Sequence, residues 1–162
     1  MNSDDQRTME TNLADIDSLQ AGRELDALVH VYVLGGDPQD CFFRDGAPRA
    51  YWGNSTGPDE DTLYSTDIAL AWLVADKIPR FAIQRNPDGS YTAGQKDEQH
   101  MLYWEECADA PTVTLAICRA ALKVVKTAWE NTQNDIRARR GQATYHESRH
   151  NEYLAGEFLK RS

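Results

Sequence analysis

The sequence has no apolar run near the ~18 residues that would mark a membrane-spanning helix. It is also short of bases: 17 Lys+Arg stand against 26 Asp+Glu, a net charge of -9 over 162 residues. That balance argues against direct nucleic-acid binding and against an anionic membrane surface, because phosphate contacts need clustered positive charge. The three cysteines, Cys41, Cys107 and Cys118, show no C-x-x-C spacing and read as reduced thiols rather than a disulfide or zinc framework. A G-x-S-x-G elbow is missing, which removes the usual α/β-hydrolase nucleophile. No strand runs through a glycine-rich turn into a helix, which removes the phosphate-loop and dinucleotide folds. Met1 to Gln20 is polar and acidic and lacks the apolar stretch of a secretory signal. Internal repeats and low-complexity blocks are also absent. The length suits one domain, able to bury about two-thirds of its unfolded surface.

Charge and apolar periodicity divide the chain into three. Residues 1–20 set Arg7 against Asp4, Asp5, Glu10, Asp15 and Asp17, and read as a flexible acidic arm. Residues 21–130 carry the periodic patterns of a folded domain. Residues 131–162 read as a C-terminal extension, with one further short helix expected over Tyr145 to Lys160.

Within the domain, Leu25, Leu28, Val29, Tyr32 and Val33 fall at i, i+3, i+4, i+7 and i+8, the face of an amphipathic helix over 23–34. Gly35-Gly36-Asp37-Pro38 stops it. Phe42-Phe43-Arg44 and Ala50-Tyr51-Trp52 flank the turn dipeptide Asp45-Gly46, so a short hairpin is expected. A second helix follows, capped by Ser65 or Thr66, with Asp67 in its first turn. Its expected core face is Ile68, Ala71, Trp72 and Ala75. Phe81 to Arg85, then Ser90 to Ala93 across the turn Asn86-Pro87-Asp88-Gly89, then Met101 to Trp104, predict three antiparallel strands. A last core helix runs from Pro111 to about Trp129, with Leu115, Cys118, Ala121, Leu122 and Val125 in register. The order α-(hairpin or loop)-α-β-β-β-α plus a tail is that of an α+β fold. Its helices and a small antiparallel sheet form a layered helix–sheet–helix sandwich.

Three blocks carry a resemblance. They are Ala21-Gly22-Arg23-Glu24-Leu25-Asp26-Ala27-Leu28-Val29, Tyr64-Ser65-Thr66-Asp67-Ile68-Ala69-Leu70-Ala71-Trp72, and Ala116-Ile117-Cys118-Arg119-Ala120-Ala121-Leu122-Lys123. In this order and spacing the chain resembles the phage ABA sandwich domain family over roughly residues 21–126. The resemblance implies the same sandwich, a phage or prophage origin, and hence a bacterial cytoplasm. It implies no catalytic residues. Leu28, Ile68, Trp72, Ile117 and Leu122 within these blocks are expected in the core. Arg119 is expected to reach solvent or to pair with Asp67 or Glu24; an anion-binding role is the alternative.

The sharpest chemical motif is His146-Glu147-Ser148-Arg149-His150, which fits H-E-x-x-H. In zinc peptidases two histidines one helical turn apart hold the metal, and the glutamate activates water. Here Arg149 places a charge inside the motif, no third ligand stands at a recognised spacing, and the flanks are polar. His146 and His150 are therefore weak metal candidates, no cofactor is expected, and a zinc-dependent hydrolase is the reading of another class. His30, four residues after Asp26, reads as a surface or partly buried helix pair rather than a catalytic dyad. Asp59-Glu60-Asp61 reads as a solvated acidic loop without EF-hand spacing.

The segment 41–64 is the candidate recognition surface. Arg44, Arg49, Tyr51, Trp52 and Tyr64 lie in a loop-rich stretch, joined by Arg119 as a candidate ligand contact. Aromatics stack on planar groups and arginines pair with phosphate, although the same aromatics also suit the cover of a sheet face. The expectation is a non-enzymatic accessory protein that acts by binding in the host cytoplasm, in counter-defence or host-factor inhibition. Its partner is a host protein or a small nucleotide ligand; the alternative role is a sponge for a nucleotide immune messenger. Open edge strands also make a homo-oligomer a candidate state.

Overall fold

The computed structural model describes residues 13–36, 41–43, 50–52, 63–101 and 103–159. For 41–43, 50–52 and 141–159 it describes the backbone alone. Helix α1 spans Arg23–Tyr32, and strands β1 (Cys41–Phe43) and β2 (Ala50–Trp52) follow. Helix α2 spans Ile68–Ala75. Strands β3 (Phe81–Arg85), β4 (Tyr91–Lys96) and β5 (Trp104–Ala110) precede helix α3 (Val113–Leu159). The chain divides into two compact units, Met1–Lys126 and Thr127–Ser162. The first unit has the expected α+β architecture, with helices before and after a three-stranded antiparallel sheet of order β3-β4-β5.

The expected hairpin is present: β1 pairs β2 with Cys41 opposite Trp52 and Phe43 opposite Ala50. Helix α1 ends as glycine chemistry requires. Gly35 takes the left-handed conformation (φ 74°), and Gly36 N–H reaches back to the His30 carbonyl at 2.9 Å. Helix α2 is capped one residue later than expected. Asp67 itself is the N-cap, and its Oδ1 accepts from Ala69 N–H at 2.7 Å and Leu70 N–H at 3.2 Å.

Four expectations need correction. Residues 13–20 are no flexible arm: Leu13, Ile16 and Leu19 are buried, because this segment supplies apolar cover that the domain otherwise lacks. The core face of α2 is Ala71, Val74 and Ala75, continued by Ile78, while Ile68 and Trp72 stand 46% and 48% exposed. Helix α2 reads IALAWLVA and is apolar on every side, so periodicity within it cannot say which side faces in. The third strand lies at Trp104–Ala110 rather than 101–104. Its alternation of Glu105, Cys107 and Asp109 with Glu106, Ala108 and Ala110 was hidden by acids that are uncommon in strands. Lastly, α3 is one helix of 47 residues, about 70 Å long, with no break near Asn131-Thr132. No proline interrupts it, and the Thr132 hydroxyl donates to the Ala128 carbonyl at 2.9 Å, a bond made inside the helix.

The core gathers Leu25, Leu28 and Val29 from α1, the α2 face, and Leu115 to Leu122 of α3 against small sheet residues. Ala93, Ala108 and Ala110 are buried on the sheet. Gly94 sits where β4 and β5 come closest: a Cβ there would collide with the Glu106 carbonyl and lie 2.7 Å from Cys107 Cα. Only glycine permits this pairing without a shift.

Candidate functional site

The residues expected to form one recognition surface do not stand together. Arg44 and Arg49 lie outside the described residues. Tyr51 and Trp52 lie on β2, of which the backbone alone is described. Tyr64 is 5% exposed and belongs to a buried polar cluster rather than a surface. Arg119 is buried too, at 7% exposure, which corrects the expectation that it reaches solvent or pairs with Asp67 or Glu24. His146 and His150 lie on the α3 backbone, with their side chains outside the described residues. Elsewhere, among the described residues, no group of three His, Cys, Asp or Glu is placed to hold a metal ion.

The buried cluster joins α1 to the turn before α2. Asp26 is fully buried, and its Oδ1 accepts from the Ser65 N–H at 2.7 Å. Its other oxygen, Oδ2, is buried with no hydrogen-bond partner. Burial pushes the Asp26 carboxyl above its ordinary range, against the lowering effect of the Ser65 bonds. The Ser65 hydroxyl in turn accepts from the Gly22 N–H at 2.9 Å, so one serine fixes both the start of α1 and the Asp26 side chain. Burial, and then the charge of Asp26, raise the Tyr64 hydroxyl. The Cys118 thiol is likewise pushed far up by burial and then by Asp26. His30 closes the cluster, its Nδ1 3.4 Å from Tyr64 Oη and its ring stacked on the tyrosine at 6.5 Å. Spacing alone placed Asp26 and His30 one helical turn apart, whereas the fold bonds Asp26 to Ser65 and sets His30 against Tyr64. The Ser65 and Cys118 contacts join residues far apart in the chain.

Arg119 does different work one residue along α3. Its Nε donates to the Leu19 carbonyl at 2.9 Å and its Nη2 to the same oxygen, while Nη1 donates to the Asp109 carbonyl at 3.3 Å. The guanidinium thus ties the 13–20 segment and β5 to α3. Four residues on, Lys123 Nζ pairs with Asp17 at 2.8 Å and adds a second tie.

An exposed aromatic surface forms where β4 leaves and β5 enters the sheet. Met101 and Tyr103 are 57% and 66% exposed. His100 meets the Tyr103 ring edge-on at 6.1 Å, and Asp97 orders the turn by accepting from the Gln99 and His100 N–H groups. Lys96 Nζ stands 3.5 Å over the Trp104 ring. Arg80 holds the neighbouring strands together. Its Nε donates to the Lys96 carbonyl at 2.9 Å and its Nη2 to Glu105 at 2.7 Å, from a left-handed backbone (φ 49°). Asp97, Glu98 and Glu105 stand around this aromatic surface, Glu105 paired with Arg80 and Asp97 beside His100. Sequence reasoning placed Met101 to Trp104 in a strand and so missed it; the cue was Asp97, an Asx-turn residue just before the aromatics.

The profile of the phage ABA sandwich domain matches residues 40–122, just over half of the chain. The chain belongs to the phage ABA sandwich domain family. The matched stretch runs from β1 through most of the buried part of α3, and so includes both the 41–64 segment and the 96–105 surface. It begins after α1, so the Ala21–Val29 block lies outside it, and the family stretch is shorter at its start than the 21–126 expected. No curated protein and no solved structure matches the chain. Among the described residues of this ABA sandwich, no helix is long and apolar enough to cross a membrane.

Proposed function

We propose that this phage ABA sandwich protein is a non-enzymatic accessory protein that acts by binding a protein of the bacterial host, in the host cytoplasm. Inhibition of a host factor or a defence component is the outcome of that binding. The observation behind this reading is the exposed surface at 96–105. Tyrosine, tryptophan and methionine are the residue types enriched at protein interfaces, and a single copy leaves Met101 and Tyr103 in water. Its rim of Asp97, Glu98 and Glu105 agrees in sign with the net charge of -9, so the complementary partner presents a basic rim around an apolar anchor.

The test places a photoreactive amino acid at position 103 in cells that express the protein, with position 88, in the exposed β3–β4 turn, as the control. One host protein cross-linked from 103 and not from 88 is expected. Its affinity for the purified chain should fall on Tyr103→Ala and with rising salt. Equal cross-linking from both positions would remove this surface from the reading. A nucleotide-sized mass retained in native mass spectra would move the function to sequestering a nucleotide messenger. Turnover lost on chelation and on His146→Ala would move it to the zinc hydrolase.

A further inference from the structure

Strand β3 is an edge strand: it pairs with β4 on one side and, among the described residues, with no strand on the other. Phe81-Ala82-Ile83-Gln84-Arg85 has no proline, no lysine and no bulge against β4, and Arg85 is its one charged residue. Beside it, α2 leaves Ile68, Trp72 and Leu73 46%, 48% and 52% exposed. Trp72 meets Phe81 edge-on at 6.0 Å, so the exposed apolar side of the helix borders the open edge of the sheet. Among the described residues no strand covers this edge, and the α2 side chains beside it stand exposed.

We propose that this edge pairs, antiparallel and about a two-fold axis, with β3 of a second copy of the chain. Side-chain alternation puts Phe81, Ile83 and Arg85 on one face of the sheet. The two-fold register that pairs all five residues sets Ile83 on the axis, opposite Ile83 of the second copy. It also sets Arg85 of each copy opposite Phe81 of the other. Directly opposed residues of an antiparallel pair share a face, so each exposed Arg85 guanidinium comes to the Phe81–Trp72 pair of the other copy. The strand carries an aromatic pair at one end and a cation at the other, on the same face. Only antiparallel pairing with an identical strand joins both ends at once, which is the self-complementarity a two-fold interface requires.

Light scattering of the full chain during size-exclusion chromatography, over a dilution series from about 100 μM to about 1 μM, reads the assembly directly. A dimer at the upper end is expected. Trp72→Lys and Arg85→Asp, both at exposed positions, should each raise its dissociation constant about tenfold or more. Combining the two should restore dimerisation, because the new ammonium of one copy then faces the new carboxylate of the other. A chain that stays monomeric throughout overturns the proposal. So do single variants that dimerise like the parent, or a double variant that fails to recover.

Discussion

Replacing Asp26 by asparagine removes a charge that the fold has taken out of water and keeps the acceptor that the fold uses. Asp26 is fully buried, and its Oδ1 accepts from the Ser65 N–H at 2.7 Å. Among the described residues nothing donates to Oδ2. A carboxylate held this way costs several kcal/mol relative to water. The amide of asparagine keeps the Ser65 bond and leaves an unpaired NH2 at the Oδ2 position, a penalty of about 1–3 kcal/mol. The charge term is the larger, so Asp26→Asn is expected to be more stable near pH 7 by about 1–2 kcal/mol. That corresponds to a rise in Tm of roughly 3–6 °C. The pH dependence gives the sharper test. Burial raises the folded carboxyl above its unfolded value, so the folded state holds the proton more tightly. Wild-type stability must then fall as pH climbs from the ordinary aspartate range through that raised value. Asparagine has no such loss. Urea melts of both proteins across this range should show the smallest difference in acid, growing with pH and then levelling, while every other titrating group cancels between them. A difference that does not change with pH would refute the buried charge. Asp26→Ala serves as the control: it removes the same charge but strands the Ser65 N–H, so it should be less stable than Asp26→Asn at every pH, by about 1–3 kcal/mol.

The Arg119 tie predicts that Arg119→Ala lowers stability by about 2–4 kcal/mol, because the Leu19 carbonyl loses its donor inside the core. Proteolysis should then cut first between residues 13 and 20. Asp17→Ala breaks an exposed pair (side-chain exposure 63%) and should cost about 1 kcal/mol or less in the same denaturation assay. Gly94→Ala should destabilise by about 1–3 kcal/mol, with amide exchange accelerated in β4 and β5 first, since the added methyl meets the Glu106 carbonyl. Burial raises both the Cys107 and Cys118 thiols. Alkylation mapped by mass spectrometry should therefore find Cys118 protected until the chain unfolds, and Cys107 slower to react in the native protein than in the unfolded one.

Much of the fold was legible because local signals were strong and agreed. Leu25, Leu28 and Val29 declare a helix face, Gly35 and Gly36 end it, and Asn86-Pro87-Asp88-Gly89 fixes a hairpin between β3 and β4. The errors fell where local signals were silent. Helix α2 has no polar face, so its orientation depends on what lies beneath it. Strand β5 carries Glu105, Glu106 and Asp109, with Glu105 and Asp109 exposed on one face, and composition argued against a strand there. The long run of α3 lacks both a proline and a strong apolar stripe, and the absence of proline was the signal that mattered.

The candidate site divides the same way. Residue types alone could mark Arg119 as unusual, since it is a charged group set among small apolar neighbours. They could not tell a ligand contact from a buried tie, because the partners of Arg119 are backbone carbonyls of Leu19 and Asp109, 100 and 10 residues away. A carbonyl has no side-chain identity and leaves no trace in the sequence. The sequence by itself determined the element types, their order, the turn chemistry and the family. Those follow from short-range sterics and from periodicity along the chain. Tertiary structure alone decided which side of α2 is covered, that Leu13, Ile16 and Leu19 pack as core, that Asp26 is buried against Ser65, and that Met101 and Tyr103 face water. Each of these depends on contacts between residues distant in sequence, and burial is a property of the assembled layers rather than of any single segment.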